Sequence, residues 1–527
     1  MMKEEVSGLP TGWTWTQLGT LLDDIEAGKS FQVNPARPAS GDVGILKVSA
    51  VSWGEYQEDE SKTVDDPSRV NPDVFVQQGD FLFSRANTIE LVGACVIARR
   101  VTRRSMLSDK TLRFRFRVPM KEWVLYGLRS PHGRAEIQRL ATGNQDSMRN
   151  IGQRRIRQIR IPVPPLPEQR RIVAEIEKHF TRLDAAVAAL ERVKARLVRA
   201  RASVLKTAVE GRLVPTEAEL ARAEGRDYET GEVLLERILV ERRARHEEAQ
   251  QGAKRKNRYV EPKAPETEGL PELPEGWVWA TGTQLLGGLQ TGPFGSMLHK
   301  SDYVSDGTPV VNPQHFRHGR ITPDEAVSVP PSIAKKLKRY SLRAGDVLLA
   351  RRGEMGRCAL VGHREDGWLL GTGSLSLRLA GPLNLQYFCW FLRSPSTVRR
   401  LEGESVGSTM TNLNQKILLA LPVPLPPLAE QHRIVAEVDR RLSVIDALES
   451  TVDTNLARCA RLRQAILKRA FEGRLVPQDP RDEPAAEMLA RVKAGGPAEM
   501  PMSSTSRKTE PSSPRVAQRD LFEDRAP

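Results

Sequence analysis

Basic and amide side chains are the groups in this sequence that are best suited to chemistry with a partner. Lysine and arginine neutralise phosphates, and arginine, asparagine and glutamine can hydrogen-bond to base edges. The 527 residues include 80 lysines and arginines against 66 acids, which gives a net charge of +14. That excess predicts a polyanionic partner, with nucleic acid first and an anionic membrane surface second.

The amide candidates follow two loops rich in glycine and hydroxyl residues, Gly143–Ser147 and Gly403–Thr411. Mobile loops that carry amides suit insertion into a DNA groove, although the same residues also suit turns or helix caps. In R-F-R-F-R (Arg113–Arg117), strand alternation predicts the arginines on one exposed face. The candidates for DNA contact are Arg85, Lys110, Arg149, Asn150, Arg154, Arg351, Arg352, Asn412, Asn414 and Gln415.

Motifs for catalysis are absent from the sequence. A-G-K-S (Ala27–Ser30) has the Lys-Ser of a phosphate loop, but Asp23 replaces its first glycine. N-P-Q-H (Asn312–His315) lacks the second proline and the aromatic residue of amino-methyltransferases, and His315 has no cysteine or carboxylate cluster nearby for a zinc site. The sequence therefore predicts no catalytic residue and no metal ligand.

Two long helices dominate the organisation of the chain. L-P-E-Q-R-R-I-V-A-E-I opens Leu166–Pro215, L-A-E-Q-H-R-I-V-A-E-V opens Leu428–Pro477, and both segments close with E-G-R-L-V-P. Apolar residues at seven-residue intervals are typical of a coiled-coil seam. The repeat also matches Ala186 and Ala200 to Leu448 and Leu462, which suggests complementary volumes across the seam. The predicted seam positions are Ile176, Leu183, Leu190, Leu197, Val204, Val438, Ile445, Val452, Cys459 and Ile466.

The repeat continues outside the helices. L-P-T-G-W-T-W (Leu9–Trp15) returns as L-P-E-G-W-V-W (Leu273–Trp279), and a Gly-Asp turn opens an apolar strand that ends at Arg85 and again at Arg351. Each module of about 150 residues is predicted to be mixed α/β. The predicted order is a module at 1–165, a long helix at 166–215, a short helix and charged linker at 216–269, a module at 270–427, a long helix at 428–477, and a short helix with a disordered tail at 478–527.

This layout resembles the specificity subunit of type I restriction–modification systems. The doubled E-Q-x-R-I-V-A-E helix starts, the paired L-P-x-G-W-x-W segments and the E-G-R-L-V-P exits carry the resemblance, which covers nearly the whole chain up to Val492. The family implies two α+β target-recognition domains that bind the halves of a split DNA site, separated by an antiparallel coiled coil of the two helices. It also implies no enzymatic activity for this chain.

The resemblance further implies that two adenine-N6 methyltransferase subunits dock on the helices and that motor-nuclease restriction subunits join them. S-adenosylmethionine, ATP and Mg²⁺ would belong to those partners, with no cofactor bound by this chain. Exposed helix faces would dock the methyltransferase subunits, although capping and surface ion pairs explain the same residues. The candidate docking residues are Glu168, Gln169, Arg171, Glu175, Glu430, Gln431, Arg433 and Glu437.

Other hypotheses remain open from the sequence. One is a specificity subunit of a methylation-only system, and another is a structural coiled-coil protein whose basic modules bind RNA or membrane surfaces. Four scattered cysteines and the lack of a membrane-spanning apolar run predict a cytoplasmic protein.

Overall fold

The computed structural model describes residues 8–52, 54–145, 148–251, 258–293, 297–317, 319–322, 324, 327–404 and 413–495. The chain divides into two compact units, Met1–Val187 with Ala457–Pro527, and Ala188–Leu456. The boundary therefore falls inside both long helices. Of the predicted features, Asn412 and the tail from residue 496 lie outside the described residues.

The first unit contains a module of short strands and helices. The strands are β1 (Thr14–Gln17), β2 (Leu22–Ala27), β3 (Gly44–Leu46), β4 (Ser61–Thr63), β5 (Phe81–Ser84), β6 (Ala86–Asn87), β7 (Cys95–Ile97), β8 (Ser105–Met106), β9 (Thr111–Phe116), β10 (Thr142–Gln145), β11 (Met148–Asn150) and β12 (Arg160–Val163). The largest sheet has the strand order β2-β9-β5-β7, and smaller sheets have the orders β4-β3-β8, β10-β11-β6 and β1-β12. The helices of this module are α1 (Leu18–Leu21), α2 (Lys121–Arg129), α3 (Pro131–Leu140) and α4 (Gln153–Ile156).

Three helices follow this module in the chain. They are α5 (Leu166–Val209), α6 (Glu217–Glu224) and α7 (Gly231–Gln251). The sequence predicted α5 and most of α7, but α6 was not predicted. Helix α6 begins at a capping box, in which the Thr216 hydroxyl accepts from the Glu219 N–H and the Glu219 carboxylate accepts from the Thr216 N–H.

The module of the second unit repeats three of the four sheets of the first. Its strands are β13 (Val278–Thr281), β14 (Leu286–Thr291), β15 (Thr308–Val311), β16 (Phe316–Arg317), β17 (Arg320–Ile321), β18 (Ser328–Val329), β19 (Val347–Ala350), β20 (Cys358–Leu360), β21 (Leu369–Leu370), β22 (Ser374–Leu379) and β23 (Pro422–Leu425). The sheets β14-β22-β19-β20, β18-β15-β21 and β13-β23 correspond to β2-β9-β5-β7, β4-β3-β8 and β1-β12, and the pair β15–β21 is parallel, as is β3–β8. The hairpin β16-β17 and the sheet β10-β11-β6 differ between the modules. The remaining helices are α8 (Gly282–Leu285), α9 (Pro331–Lys336), α10 (Leu385–Arg393), α11 (Pro395–Glu404), α12 (Gln415–Ala420), α13 (Leu428–Phe471) and α14 (Ala485–Lys493). Both modules are α+β.

Segments of α5 and α13 pack against each other within each unit. In the first unit Asp184 forms an ion pair with Arg463, whose guanidinium lies 4.6 Å from the centre of the Phe180 ring. In the second unit Lys194 lies 2.8 Å from Asp453, and Arg201 lies 3.0 Å from Glu449. Because later residues of α5 meet earlier residues of α13, the helices run antiparallel in the second unit.

The predicted seam positions are buried or half-buried. All except Cys459, which is half-buried, belong to an apolar cluster of their unit, although Leu183, Leu190 and Ile466 are only partly buried. The predicted volume match is wrong, since Leu448 and Leu462 are 47% and 43% exposed. Those two leucines lie on the outer faces of the helices.

The short helices α7 and α14 make equivalent contacts in their own units. The Gly231 N–H at the start of α7 donates to the Gly276 carbonyl at 2.7 Å, and the Ala485 N–H of α14 donates to the Gly12 carbonyl at 2.9 Å. Both carbonyls belong to the repeated L-P-x-G-W-x-W segment. The start of each short helix is thus hydrogen-bonded to the segment that leads into the first strand of its module, and α14 packs into the apolar core of the first unit.

Within the described residues, no helix is both long enough and apolar enough to cross a membrane. Cys95, Cys358 and Cys389 are buried in the apolar cores.

Candidate nucleic-acid interface

Each module brings the end of its Gly-Asp strand together with a later amide-bearing segment. The Ile151 N–H donates to the Arg85 carbonyl at 2.9 Å, and in the second module the Leu413 N–H donates to the Arg351 carbonyl at 3.0 Å. Residues far apart in sequence therefore meet at equivalent points of the two modules. Strand pairing explains the junction in the first module, because β11 lies beside β6.

Four of the predicted DNA-contact residues gather at this junction in the first module. Arg85 donates from Nε to Asn150 Oδ1 at 3.4 Å, and its N–H donates to the Lys110 carbonyl at 2.9 Å. Arg149 donates to the Gly143 carbonyl at 2.8 Å. Asn150 and Lys110 are exposed, as is Arg154 on the neighbouring α4. The exposed groups form a surface of basic and amide side chains.

At the corresponding junction of the second module, three of the predicted side chains form hydrogen bonds within the module. Arg351 donates from Nε to the Leu413 carbonyl at 3.1 Å, and burial together with neighbouring Arg352 lowers the pKa of its guanidinium. Asn414 caps α12 by accepting from the Ile417 N–H at 3.0 Å. Gln415 donates to Thr291 Oγ1 at 2.9 Å, and Arg352 is exposed. The helix-cap alternative therefore applies to Asn414.

Two lysines at this face of the first module were not among the sequence candidates. Lys47 and Lys62 join Lys110 around a cavity of about 270 Å³. Lys62 on β4 pairs with Ile45 on β3. The spacing of the lysines along the sequence does not predict that they lie close together. The strand register brings Lys62 beside the end of β3, and Lys110 approaches the same cavity from the turn before β9.

The expectation of an exposed arginine face on β9 is wrong for Arg113. Its side chain is 2% exposed and forms ion pairs with Glu26 and Asp80, while its guanidinium donates to the carbonyls of Asp73 and Phe75 at 2.7 Å each. The alternation is present, but this strand face lies beneath a second layer of the module. Arg115 and Arg117 on the same face are about two-fifths exposed and are also ion-paired.

The predicted docking residues at the helix starts are largely internal. Glu168, Gln169, Glu430 and Gln431 are at most 3% exposed, so the expectation of an exposed face is wrong for them. Glu168 accepts from Trp13 Nε1 at 3.1 Å, and Glu430 accepts from Trp277 Nε1 at 2.9 Å. In each unit the repeated tryptophan therefore hydrogen-bonds to the repeated glutamate and anchors the start of the long helix.

Burial affects the protonation of these two carboxyls. Desolvation raises the pKa of Glu168 and of Glu430, and the tryptophan hydrogen bonds oppose that shift. Glu430 also accepts from the Glu217 N–H at 2.9 Å, and the Gln431 side chain accepts from the Asn384 N–H at 2.9 Å. These hydrogen bonds hold the start of α13 against the rest of the second unit.

The other docking candidates are half-buried and ion-paired. Arg171 lies 2.7 Å from Asp482, Arg433 lies 2.5 Å from Glu217, and Glu175 lies 3.0 Å from Lys178. Glu437 accepts from Arg440 and Arg441, which lowers its pKa to about 2. Their role in binding a partner stays a prediction.

The glycines after the long helices make close contacts with the same anchoring segments. Gly211 and Gly473 both have a φ of 66°, where glycine is favoured. A Cβ at Gly211 would lie 2.4 Å from Pro274 Cγ, and one at Gly473 would lie 2.3 Å from Pro10 Cγ. The E-G-R-L-V-P exit is therefore repeated because each tryptophan-bearing segment packs against a helix end. In the described part of the chain, no group of three or more His, Cys, Asp or Glu side chains could hold a metal ion.

Comparison with known proteins identifies the class of the second module. Residues 294–456 match the family of the type I restriction modification DNA specificity domain. The chain is 25% identical over 361 residues to the type I restriction enzyme EcoBI specificity subunit of Escherichia coli, a match that covers 66% of this chain and 67% of that protein. It is 37% identical over 115 residues to the EcoDI specificity subunit of Escherichia coli, covering 20% of this chain and 26% of the relative. The resemblance to type I restriction–modification specificity subunits is therefore confirmed.

A solved structure shares the fold. It comes from work on the complex assembly and conformational transition of the type I R-M system, has a TM-score of 0.55 and 20% sequence identity, and covers 89% of this chain and all of that chain. Matches to other relatives are shorter: the one to the EcoEI specificity subunit of Escherichia coli covers 30% of its length at 29% identity.

Proposed function

We propose that this chain is the non-catalytic DNA sequence-specificity subunit of a type I restriction–modification complex. Its two modules are two target-recognition domains, each of which reads one half of a bipartite, gapped DNA site. The duplication of the module carries the proposal: the two modules share the strand order of three sheets, and each places an arginine beside an amide-bearing segment at the same junction. The excess of basic residues supplies the phosphate contacts that such binding requires.

The helix pair serves as an antiparallel coiled-coil spacer between the half-site readers. Each long helix has 44 residues, which at about 1.5 Å per residue corresponds to roughly 65 Å. A stiff spacer of that kind fixes the number of unread base pairs, as dimer geometry fixes half-site spacing in other DNA-binding proteins.

Two adenine-N6 methyltransferase subunits dock on the outer faces of the helices, and restriction subunits join through them. The outer faces carry exposed apolar side chains, including Val198 at 60%, Val444 at 52% and Leu448 at 47% exposure. Such residues on otherwise polar helices suit a protein interface better than the buried helix-start residues do. S-adenosylmethionine, ATP and Mg²⁺ would be bound by those partner subunits.

Methylome sequencing tests the function as a whole. The chain would be produced with its methyltransferase subunit in a host that lacks DNA methylation. N6-methyladenine in a split motif with two unlike halves and a fixed gap is the expected result. A contiguous motif would contradict the two-module arrangement. A stable complex that leaves DNA unmethylated would favour the structural or RNA-binding alternative.

A further inference from the structure

The second module contains an open polar cavity of about 640 Å³ between β14 and the loop at residues 338–343. Asp346, Ser376 and Arg378 line its inner wall. Arg378 donates to both oxygens of Asp346 at 2.8 and 2.9 Å, and the Ser376 hydroxyl donates to the same carboxylate at 3.1 Å. Because the Arg343 N–H also donates to Asp346, the charge and hydrogen-bonding capacity of that carboxylate are largely satisfied.

The equivalent space in the first module is filled by the Arg113 side chain. Strand pairing aligns β22 with β9 and β14 with β2, so that Ser376 occupies the position of Arg113 and Gln290 that of Glu26. Arg113 is 2% exposed and reaches Glu26, Asp80 and two main-chain carbonyls. Serine is too short to do so, and the second module therefore stays open where the first is closed.

The charge of the covering loop also reverses between the modules. The alignment of Asp346 with Asp80 also aligns the preceding loops. Lys338, Arg339 and Arg343 then correspond to Pro72, Asp73 and Gln77 of the first module. All three basic side chains are exposed. Within the residues that the structure describes, Lys338 and Arg343 form no ion pair, while Arg339 packs over the Tyr340 ring at 4.6 Å. Asp366 is the acid at the rim, and it accepts from the Ala344 N–H at 2.9 Å.

We propose that this cavity binds a phosphate group. Lys338 and Arg343 supply unpaired positive charge at the rim, the partly exposed Arg378 supplies further N–H donors from below, and Ser341 and Ser376 add hydroxyls. The phosphate comes either from the DNA backbone or from a free phosphorylated ligand such as a nucleotide. The first source rests on the proposed function, whereas the second does not.

The experiment compares the full-length chain with two variants and a control. K338Q/R343Q removes the two unpaired charges at the rim and leaves Arg339, and its second change copies Gln77 of the first module. S376R fills the cavity with the side chain that the first module uses. K335Q/K336Q removes the same charge from exposed positions on α9 that do not line the cavity. Circular dichroism and the thermal unfolding midpoint establish that each variant folds.

Inorganic phosphate and ATP are titrated into each protein and followed by calorimetry, and binding to the cognate duplex is measured across a range of salt concentrations. If the source is a free ligand, saturable binding to the wild type weakens at least tenfold in both variants, with little change in the control. If the source is DNA, both variants bind the duplex at least tenfold more weakly, and the salt slope of log K falls by about 0.9 for each lost phosphate contact.

Unchanged binding of phosphate, ATP and duplex in folded K338Q/R343Q would overturn the proposal, as would an equal loss in K335Q/K336Q. Sequence-specific duplex binding by the wild type distinguishes failure of the cavity proposal from failure of the proposed function. If the wild type binds its duplex specifically while the cavity variants behave as wild type, the function stands and the cavity proposal falls. If the wild type shows no specific duplex binding, the DNA source falls with the function and only the free-ligand titration bears on the cavity.

Discussion

A buried carboxylate at the start of each long helix joins two repeated sequence motifs. Glu430 accepts hydrogen bonds from the Trp277 indole and the Glu217 N–H, both at 2.9 Å, at a site that is inaccessible to solvent. Removing the carboxylate leaves two buried donors without an acceptor, and unpaired buried donors cost more than an average hydrogen bond contributes.

We therefore expect Glu430→Ala to lower the free energy of unfolding of the second unit by about 3 kcal/mol. Chemical denaturation followed through tryptophan fluorescence measures the change. Glu437→Ala is the matched control on the same helix, because Glu437 forms ion pairs with Arg440 and Arg441 on the solvent-facing side of α13. Equal effects of the two substitutions would contradict the anchoring role of Glu430.

The ion pair between Arg433 and Glu217 predicts a pH-dependent contribution to stability. Burial raises the pKa of Glu217, but hydrogen bonds from Arg433 and Arg226 outweigh it and hold the pKa below its ordinary value of 4.5. A carboxyl whose pKa is depressed by folding stabilises the protein above its unfolded pKa, and this contribution is lost as the pH falls through the folded value.

Arg433→Met should accordingly lower the thermal unfolding midpoint at pH 7, and the difference from the wild type should shrink as the pH falls below 4.5. Differential scanning calorimetry between pH 3 and 7 measures it. A difference that persists unchanged at pH 3 would mean that Arg433 acts through packing of its aliphatic stem and not through Glu217.

At the scale of single residues, the sequence indicated which residues matter better than it indicated what their side chains contact. Glu168 and Glu430 stand out because they are repeated, but a repeat cannot distinguish a residue kept for a partner protein from one kept for an internal contact. The tryptophans that they bind lie about 150 residues away, in a motif that was found separately. Similarly, Asn414 follows a hydroxyl-rich loop, and only the Ile417 N–H shows that it is a helix cap.

At the scale of elements, the Gly-Asp turn is the most informative repeat of the modules. Gly79 and Gly345 have φ values of 86° and 89°, and the following aspartates accept from the Gln77 and Arg343 N–H groups. Each aspartate then pairs with an arginine on the adjacent strand, β9 or β22. In the first module the partner Arg113 is buried, whereas Arg378 in the second is 41% exposed.

This asymmetry predicts unequal costs for the same substitution. Asp80→Asn should destabilise the first unit by about 3 kcal/mol, because it weakens the pairing of a buried guanidinium, and Asp346→Asn should destabilise the second by about 1 kcal/mol. Hydrogen exchange of the β5 and β19 amides, resolved by mass spectrometry, reports on each unit separately. A larger loss in the second unit would contradict the burial argument.

Long elements were predictable from the sequence because their periodicity is sustained. The heptad pattern and the repeated opening and closing segments located α5 and α13, and the positive φ of Gly211 and Gly473 accounts for the glycine in each E-G-R-L-V-P exit. The sequence predicted that short strands are present, but not which strands pair with each other. The alternation in R-F-R-F-R correctly indicates a strand, yet it cannot indicate that Asp73 and Phe75 lie over one of its faces.

At the scale of the whole molecule, the proposed spacer makes a prediction about the DNA target. Deleting one heptad from α5 together with the facing heptad of α13 keeps the apolar seam in register and shortens the helix pair by about 10 Å. We expect the gap in the methylated motif to change while both half-sites remain as they are.

The measurement is methylome sequencing of the deletion variant beside the wild type. Replacing one heptad by another of the same apolar pattern is the control, and it should leave the motif unaltered. An unchanged gap in the deletion variant would contradict the spacer role. Changed half-sites would show that the modules themselves had been disturbed.

The contacts of α14 bear on how the protein is synthesised. The unit that contains the first module also needs Phe471 and Met488, which lie in the same apolar cluster as Trp123. The second unit is a continuous stretch, Ala188–Leu456. On the ribosome the second unit can thus fold first. The first module, although it is synthesised earlier, keeps part of its core uncovered until α14 has emerged. A nascent chain that stops shortly after Leu456 would release an intact second unit attached to an unfinished first one, and cellular proteases should remove the unfinished part preferentially.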